Sequence, residues 1–221
     1  MKLAGDMWIL DDDKHFQKEF RVSGDQFDAG SLKMAVKHID KTRVAIDGGA
    51  HYGSWTRTFA GIFDQVIAFE PRNILFECLE ANTEYFDNVE RIQKALGHEE
   101  RNVDIANSKE VNSGTWSIRA RKTKNEPHFA KGKIPLITID SLNLDVLDFL
   151  KLDVEGFELY ALQGAEETLL RCKPIIHLED KGHSTSYGIN RGAPRKYLEE
   201  LGAIHLESYK RRDHVFGWDN E

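Results

Sequence analysis

The chain lacks an excess of positive charge, has almost no cysteine and contains no long apolar run, and each absence removes a class of function. It carries 30 Lys and Arg against 37 Asp and Glu, a formal net charge of −7. No overall cationic field therefore draws in a polyanion, which argues against an unspecific nucleic-acid binder, although a local basic site stays open. The two cysteines, Cys78 and Cys172, are far apart and sit in helical patterns, so free thiols in a reducing compartment are expected. No apolar stretch approaches the ~20 residues of a membrane span, and Met1-Lys2-Leu3 leads into no signal-peptide core. The expectation is a soluble, cytoplasmic protein with no membrane partner. No tyrosine has a lysine four positions on, the pairing a short-chain dehydrogenase would need. What is present is 221 residues with 40% hydrophobic content, enough for one large α/β domain with a sizeable core. Residues 1–41 read as an N-terminal extension or lid, and 42–221 as the core.

The stretch Val44-Ala45-Ile46-Asp47-Gly48-Gly49-Ala50-His51-Tyr52-Gly53 reads as a short buried strand, a carboxylate at its end, a glycine turn and a helix from about Ser54. Glycines let a ligand approach bare backbone, and a new helix offers unpaired N–H groups. Asp47 decides which nucleotide cofactor suits this loop. A pyrophosphate loop of the G-x-G-x-x-G type would be repelled by a carboxylate at its mouth, and the Asp-x-Gly-x-x-x-Gly spacing also differs. A cofactor with a cationic amino-acid end, such as S-adenosylmethionine, fits better. Glu70 closes the following strand, Gln65 to Glu70, where an acid can accept hydrogen bonds from both ribose hydroxyls.

Before the core, Trp8-Ile9-Leu10 suggests a short strand, and Asp11-Asp12-Asp13 is read as a solvated turn in preference to a metal site. Ser31 to Ile39 has a capping serine and helical apolar spacing. From Arg43 the chain alternates: the strand to Asp47, a helix to about Ile62, the strand to Glu70, a helix over about 73–85, and a third strand over 89–96. Such alternation means a parallel sheet with helices on both faces and a ligand at the carboxyl ends of the strands. The backbone of Lys94, Ala95 and Leu96 is expected to border an adenine ring. Residues 102–139 read as a β-rich insertion. Between Lys109 and Lys133 it holds seven Lys or Arg against two Glu, so it is either a solvated hairpin or the contact for an anionic substrate group.

Asp148-Phe149-Leu150-Lys151-Leu152-Asp153-Val154-Glu155-Gly156-Phe157-Glu158 is the second informative stretch, a buried strand and a sharp turn followed by a helix over 158–170. Lys151 is costly to bury unpaired, so a carboxylate partner in a structural ion pair is expected. Asp153 and Glu155 would repel each other at the cleft end of the strand without a functional reason to be there. Pro174 to Glu179 forms a fifth parallel strand ending in an acid, followed by Asp180, Lys181 and His183 in a polar loop. A helix over 193–201 leads to an antiparallel pair, 204–209 and 213–218, across the basic turn Lys210-Arg211-Arg212.

The blocks Asp47 to Gly53, Phe69-Glu70-Pro71, Ala95-Leu96-Gly97, Asn112-Ser113-Gly114, Thr138 to Leu142, Lys151 to Glu158 and Leu162 to Ala165 resemble, in that order, the hallmark blocks of FkbM-type methyltransferases. The resemblance implies a Rossmann-like seven-stranded sheet with helices on both faces, a C-terminal antiparallel hairpin and the β-rich insertion before strand four. It also implies S-adenosylmethionine as cofactor and O-methylation of a hydroxyl on a small molecule or sugar. The cofactor residues expected are Asp47, Gly48, Gly49, His51, Gly53, Glu70, Pro71, Ala95 and Asp153. Gly48 replaces a larger apolar residue and is expected to loosen the loop.

An alcohol acceptor must lose its proton or have its oxygen polarised. Asp153, Glu155, Glu179 and His183 are the candidate catalytic residues, with Glu179 or His183 preferred as general base. A divalent ion between Asp153 and Glu179 is the rival, not favoured, arrangement. The basic segment suggests an acceptor bearing phosphate, a nucleotide or another anionic group. Two further classes compete, a nucleic-acid or nucleotide methyltransferase and a non-catalytic module that keeps the fold. Against the first, Asp153-Val154-Glu155-Gly156 is not the Asn/Asp-Pro-Pro-aromatic loop that serves base amines, and neither cysteine follows a proline.

Overall fold

The computed structural model describes residues 1–23, 28–106, 117–118 and 133–219. An N-terminal hairpin, β1 (Lys2–Ala4) and β2 (Met7–Ile9), precedes helices α1 (Lys14–Ser23) and α2 (Ala29–Val36). The alternating unit follows as β3 (Val44–Gly48), α3 (Ser54–Ala60), β4 (Gln65–Phe69), α4 (Asn73–Thr83) and β5 (Val89–Ile92). Short strands β6 (Ala95–Leu96), β7 (Arg101–Ala106), β8 (Ser117–Ile118) and β9 (Lys133–Ile137) come next. The chain closes with β10 (Phe149–Leu152), α5 (Glu158–Gln163), α6 (Glu166–Cys172), β11 (Ile175–Glu179), α7 (Ala193–Glu200), β12 (Ile204–Tyr209) and β13 (Asp213–Gly217).

The main sheet has seven strands in the order β12-β13-β11-β10-β3-β4-β5, parallel except for β13, which runs antiparallel to β11 and β12. Alternate residues of its central strands face two cores. Ile46, Ile67, Leu150, Leu152, Ile176 and Leu178 pack with Leu162, Leu169 and Leu198 of α5, α6 and α7. Ala45, Val66, Ala68 and Phe149 pack with Met34, Ala35, Trp55 and Phe59 of α2 and α3. Burial on both faces is why these strands read as near-continuous apolar runs. The order reverses between β3 and β10, and in open α/β sheets ligands bind outside the carboxyl ends of the strands at such a switch point.

Four expectations change with tertiary context. The single strand over 89–96 is two: β5 pairs with β4, while β6 turns away to pair in parallel with β9 in a second sheet of order β6-β9-β7-β8. The helix over 158–170 breaks at Gly164, where a Cβ would lie 1.9 Å from the carbonyl oxygen of Gly97. Asp140 restarts it by accepting the N–H groups of Glu167 and Thr168 at 3.2 and 2.8 Å. Ser31 is no cap; it lies inside α2, fully buried, with Oγ 2.8 Å from His177 Nε2. Asp13 is not in a solvated turn. It is buried, accepts the Phe16 N–H at 3.1 Å at the start of α1 and accepts the Tyr52 hydroxyl at 3.0 Å. The N-terminal segment packs Met7, Ile9 and Phe20 against Tyr52, Leu75 and Cys78, and Asn82 bonds both backbone groups of Trp8. Most of the basic segment over 109–133, with Trp116, Arg119, Arg121, Lys122 and His128, lies outside the described residues.

Asp140 is thus a remote N-cap for α6. Asp140→Ala is expected to lower unfolding free energy by ~1–2 kcal/mol, measured by urea denaturation, with cofactor affinity unchanged.

Candidate active site

Asp47 ends β3 fully buried, and both its oxygens are engaged: Oδ1 with Lys151 Nζ at 2.9 Å and Oδ2 with the Thr56 hydroxyl at 2.6 Å. Lys151 therefore has the carboxylate partner its burial requires. It also donates to the Gly49 carbonyl at 3.0 Å. Burial opposes its charge, but Asp47 and then Asp153 hold its pKa above the ordinary lysine value. Gly49 has φ 82°, and a Cβ there would lie 1.9 Å from the backbone oxygen of Asp153. The glycine loop and the end of β10 are in direct backbone contact, and only glycine permits it. Gly48 does not loosen this junction. A Cβ on it would meet Leu152, Leu96 and the Lys151 carbonyl, each at 2.9 Å, so the absent side chain allows close packing.

Beyond Gly49 the loop turns through His51, at φ 55°, to Gly53, which caps α3. The His51 N–H donates to Glu70 Oε2 at 3.0 Å, and the Arg72 N–H to Glu70 Oε1 at 3.0 Å. Glu70 is buried at the end of β4; burial raises its pKa, with Arg72 opposing. Pro71 follows, partly buried. Ala95 lies at the start of β6 with its side chain packed in a small cluster with Leu136 and Phe157. Asp47, Gly48, Gly49, Glu70 and Asp153 thus gather at the ends of β3, β4 and β10. His51 joins them through Glu70.

The third wall comes from the loops after β10 and β11. Glu155 has φ 56° and Gly156 φ 98°, and a Cβ on Gly156 would lie 2.6 Å from the His183 carbonyl carbon, so the two loops interlock. Glu158, buried in the first turn of α5, pins the turn by accepting the Val154 and Gly156 N–H groups at 3.1 and 3.0 Å. One oxygen from each of Asp153, Glu155 and Glu179 lies within 4.8 Å of the others. Lys181 Nζ sits 2.5 Å from Glu179 Oε2 and 3.9 Å from Glu155 Oε1. His183, half-exposed, places Nδ1 2.7 Å from Glu155 Oε2, and this hydrogen bond raises its pKa. All four candidate catalytic residues therefore meet.

Their protonation is set by the company they keep. Burial, then the neighbouring Asp153, push Glu179 up to about 10. Burial also opposes ionisation of Asp153, yet the hydrogen bond from Glu179, and then Lys181 and Lys151, hold its carboxyl well below the usual range. Near neutrality the pair holds one proton between them. Asp153 Oδ1 is closed off from solvent and has no hydrogen-bond partner among the described residues. A buried carboxylate oxygen without a partner is costly. Two residues of this wall escaped sequence reasoning. Glu158 was legible only as the acid two places after Gly156, and Lys181 only as a charge in a polar loop.

The strand order, with helices on both faces and these acids gathered at the carboxyl ends of β3, β4, β10 and β11, defines a Rossmann-like methyltransferase fold. The chain belongs to the methyltransferase FkbM domain family, whose model matches residues 47–207. Among solved structures it is similar to an FkbM methyltransferase from Methylobacillus flagellatus KT, with a TM-score of 0.51 and 17% identity over 80% of this chain and 44% of that one. It is also similar to precorrin-6y C5,15-methyltransferase from Geobacter metallireducens GS-15, with a TM-score of 0.50 and 11% identity over 99% of this chain and 98% of that one. The chain thus spans less than half the length of the Methylobacillus protein. A comparison with curated proteins finds no match.

Burial raises Glu158 from 4.5 to about 7. A raised folded-state pKa means that the folded form binds more protons between about pH 4.5 and 7, so stability falls as pH rises through that window, by roughly 3 kcal/mol at full effect. Glu158→Gln is expected to flatten the slope of unfolding free energy over pH 4.5–7, measured by denaturation at a series of pH values.

Proposed function

We propose that the protein transfers a methyl group from S-adenosylmethionine to a hydroxyl oxygen of a small molecule or sugar. The carrying observation is Asp153, whose backbone abuts the glycine loop and whose Oδ1 has no hydrogen-bond partner among the described residues. The residues fit the cofactor. The glycine loop carries the methionine end in this reading, and Glu70, oriented by the His51 and Arg72 N–H groups, is the acceptor for the ribose hydroxyls. Bound there, S-adenosylmethionine supplies an electrophilic methyl on a sulfonium. Holding the acceptor in line with it contributes several of the ~7–11 kcal/mol available from proximity. Asp153 would accept the hydrogen bond of the acceptor hydroxyl, and the Asp153–Glu179 pair would take its proton as the new C–O bond forms and the methyl–sulfur bond breaks, with the thioether S-adenosylhomocysteine as leaving group. Glu155 and His183 form the outer wall and bound the space left for the acceptor.

The basic segment over 109–133 favours an acceptor carrying an anionic group, with a nucleotide within that class. A divalent ion between Asp153 and Glu179 is not favoured, because the Lys181 ammonium already lies against Glu179. The protein is read as cytoplasmic. No helix among the described residues is long and apolar enough to cross a membrane.

Calorimetry with S-adenosylmethionine tests the reading. Wild type should bind, and Glu70→Ala should weaken binding by about 10- to 100-fold, the loss of hydrogen bonds to a charged group. Glu179→Gln should keep that affinity while lowering kcat by about 10²–10⁴-fold. No binding by the wild type would instead indicate a silent module. Replacing Arg119, Arg121 and Lys122 with glutamine should raise KM for an anionic acceptor by about tenfold or more per 1.4 kcal/mol of lost attraction. An unchanged KM would reject the anionic acceptor.

A further inference from the structure

We propose that Lys181 is the resident cation of the carboxylate cage formed by Asp153, Glu155 and Glu179, a positioning residue occupying the place a divalent ion would take. Three carboxylates with oxygens within 4.8 Å of one another repel strongly unless something positive or a proton intervenes. Hard divalent ions answer such a set with oxygen ligands at ~2.0–2.6 Å. Here the proton held by the Asp153–Glu179 pair removes one charge, and the Lys181 ammonium, 2.5 Å from Glu179 and 3.9 Å from Glu155, offsets another. An ammonium that close to Glu179 and a metal bound to the same oxygen exclude each other by volume and by charge.

The placement of Lys181 is built by its neighbours. Asp180, buried, donates its N–H to the Arg212 carbonyl at 2.6 Å, and its carboxylate accepts the Gly182 N–H at 3.2 Å and pairs with Arg195 at 3.1 Å. Those contacts hold the backbone on either side of Lys181, and Gly182 turns the chain at φ 81°. On the opposing loop Glu155 adopts φ 56°, costly for a residue with a Cβ, and from there its two oxygens meet Lys181 and His183. Strain on one loop and three anchors on the other converge on one ammonium. Lysine presents a compact charge with three donors, which suits several carboxylates at once. Holding Glu179 in this way keeps it beside Asp153, where the acceptor oxygen must arrive.

The consequence for turnover rests on the methyl-transfer reading above, whereas the exchange of ammonium for metal does not. Manganese binding is measured by electron paramagnetic resonance titration of the wild type, Lys181→Met, Lys181→Gln and Lys181→Arg. The wild type and Lys181→Arg should bind Mn²⁺ at least tenfold more weakly than the two neutral variants, which should each take up one ion. Adding Glu155→Gln to Lys181→Met should abolish the gain. With S-adenosylmethionine affinity unchanged by calorimetry, kcat should fall in Lys181→Met and recover partly in Lys181→Arg. Equal Mn²⁺ affinity in wild type and neutral variants would overturn the proposal, as would a neutral pair of variants, folded by circular dichroism, that gain none. Two neutral replacements guard against one failing to fold, and tight Mn²⁺ binding by the wild type alone would also overturn it. Failure of wild type to bind S-adenosylmethionine would reject the methyl-transfer reading and leave the metal titration standing.

Discussion

The buried pair between Lys151 and Asp47 is the constraint on which the site depends. The two residues face each other on adjacent parallel strands, β10 and β3, inside the core under α2 and α3. Both are almost wholly enclosed, and losing one partner of such a pair typically costs ~3–5 kcal/mol because a charge is left stranded. The same ammonium donates to the Gly49 carbonyl and lies 5.6 Å from the Trp55 ring centre. One side chain thereby ties two strand ends, a helix and the glycine loop together. His177, next along the same row on β11, is kept neutral, its pKa pushed down to about 3 by burial and then by Lys151. A second cation in that row would oppose the first.

From this buried row the chain passes at once into a region of negative charge. Asp153 follows Lys151 by two residues and Glu179 follows His177 by two, so the parallel register brings both acids to one edge of the sheet. Their separation is small enough that one proton serves both. Burial opposes ionisation of both; Asp153 takes the charge because Glu179 donates to it and Lys181 and Lys151 lie near, and the charge on Asp153 in turn disfavours one on Glu179. Two acids of similar intrinsic strength thus become one charged and one neutral group.

Much of this was legible along the chain. The alternation from Val44 to Glu179, the glycine turn, the acids at the strand ends and the closing hairpin all appear as local patterns, because strands buried on both faces read as apolar runs and turns need glycine. Reading failed where a residue's partner lies far away in sequence. Residues 89–96 divide because β9, some forty residues later, claims Ala95 and Leu96. The apolar periodicity over 158–170 gave no sign of the break that Gly97 imposes at Gly164. Ser31 looked like a cap because nothing nearby reveals His177 as its partner.

Sequence by itself determined the strand–helix alternation of the core, the family and the identity of the acids at the strand ends, since each is written in residues close together. Only the tertiary structure decided what those acids do. It spent Asp47 on Lys151, aimed Glu158 at the turn, set Lys181 among three carboxylates and left Asp153 Oδ1 without a partner among the described residues. The reason is physical: the charge and reach of a side chain are fixed by its type, but its protonation and its free lone pairs depend on neighbours that only folding brings within a few ångströms.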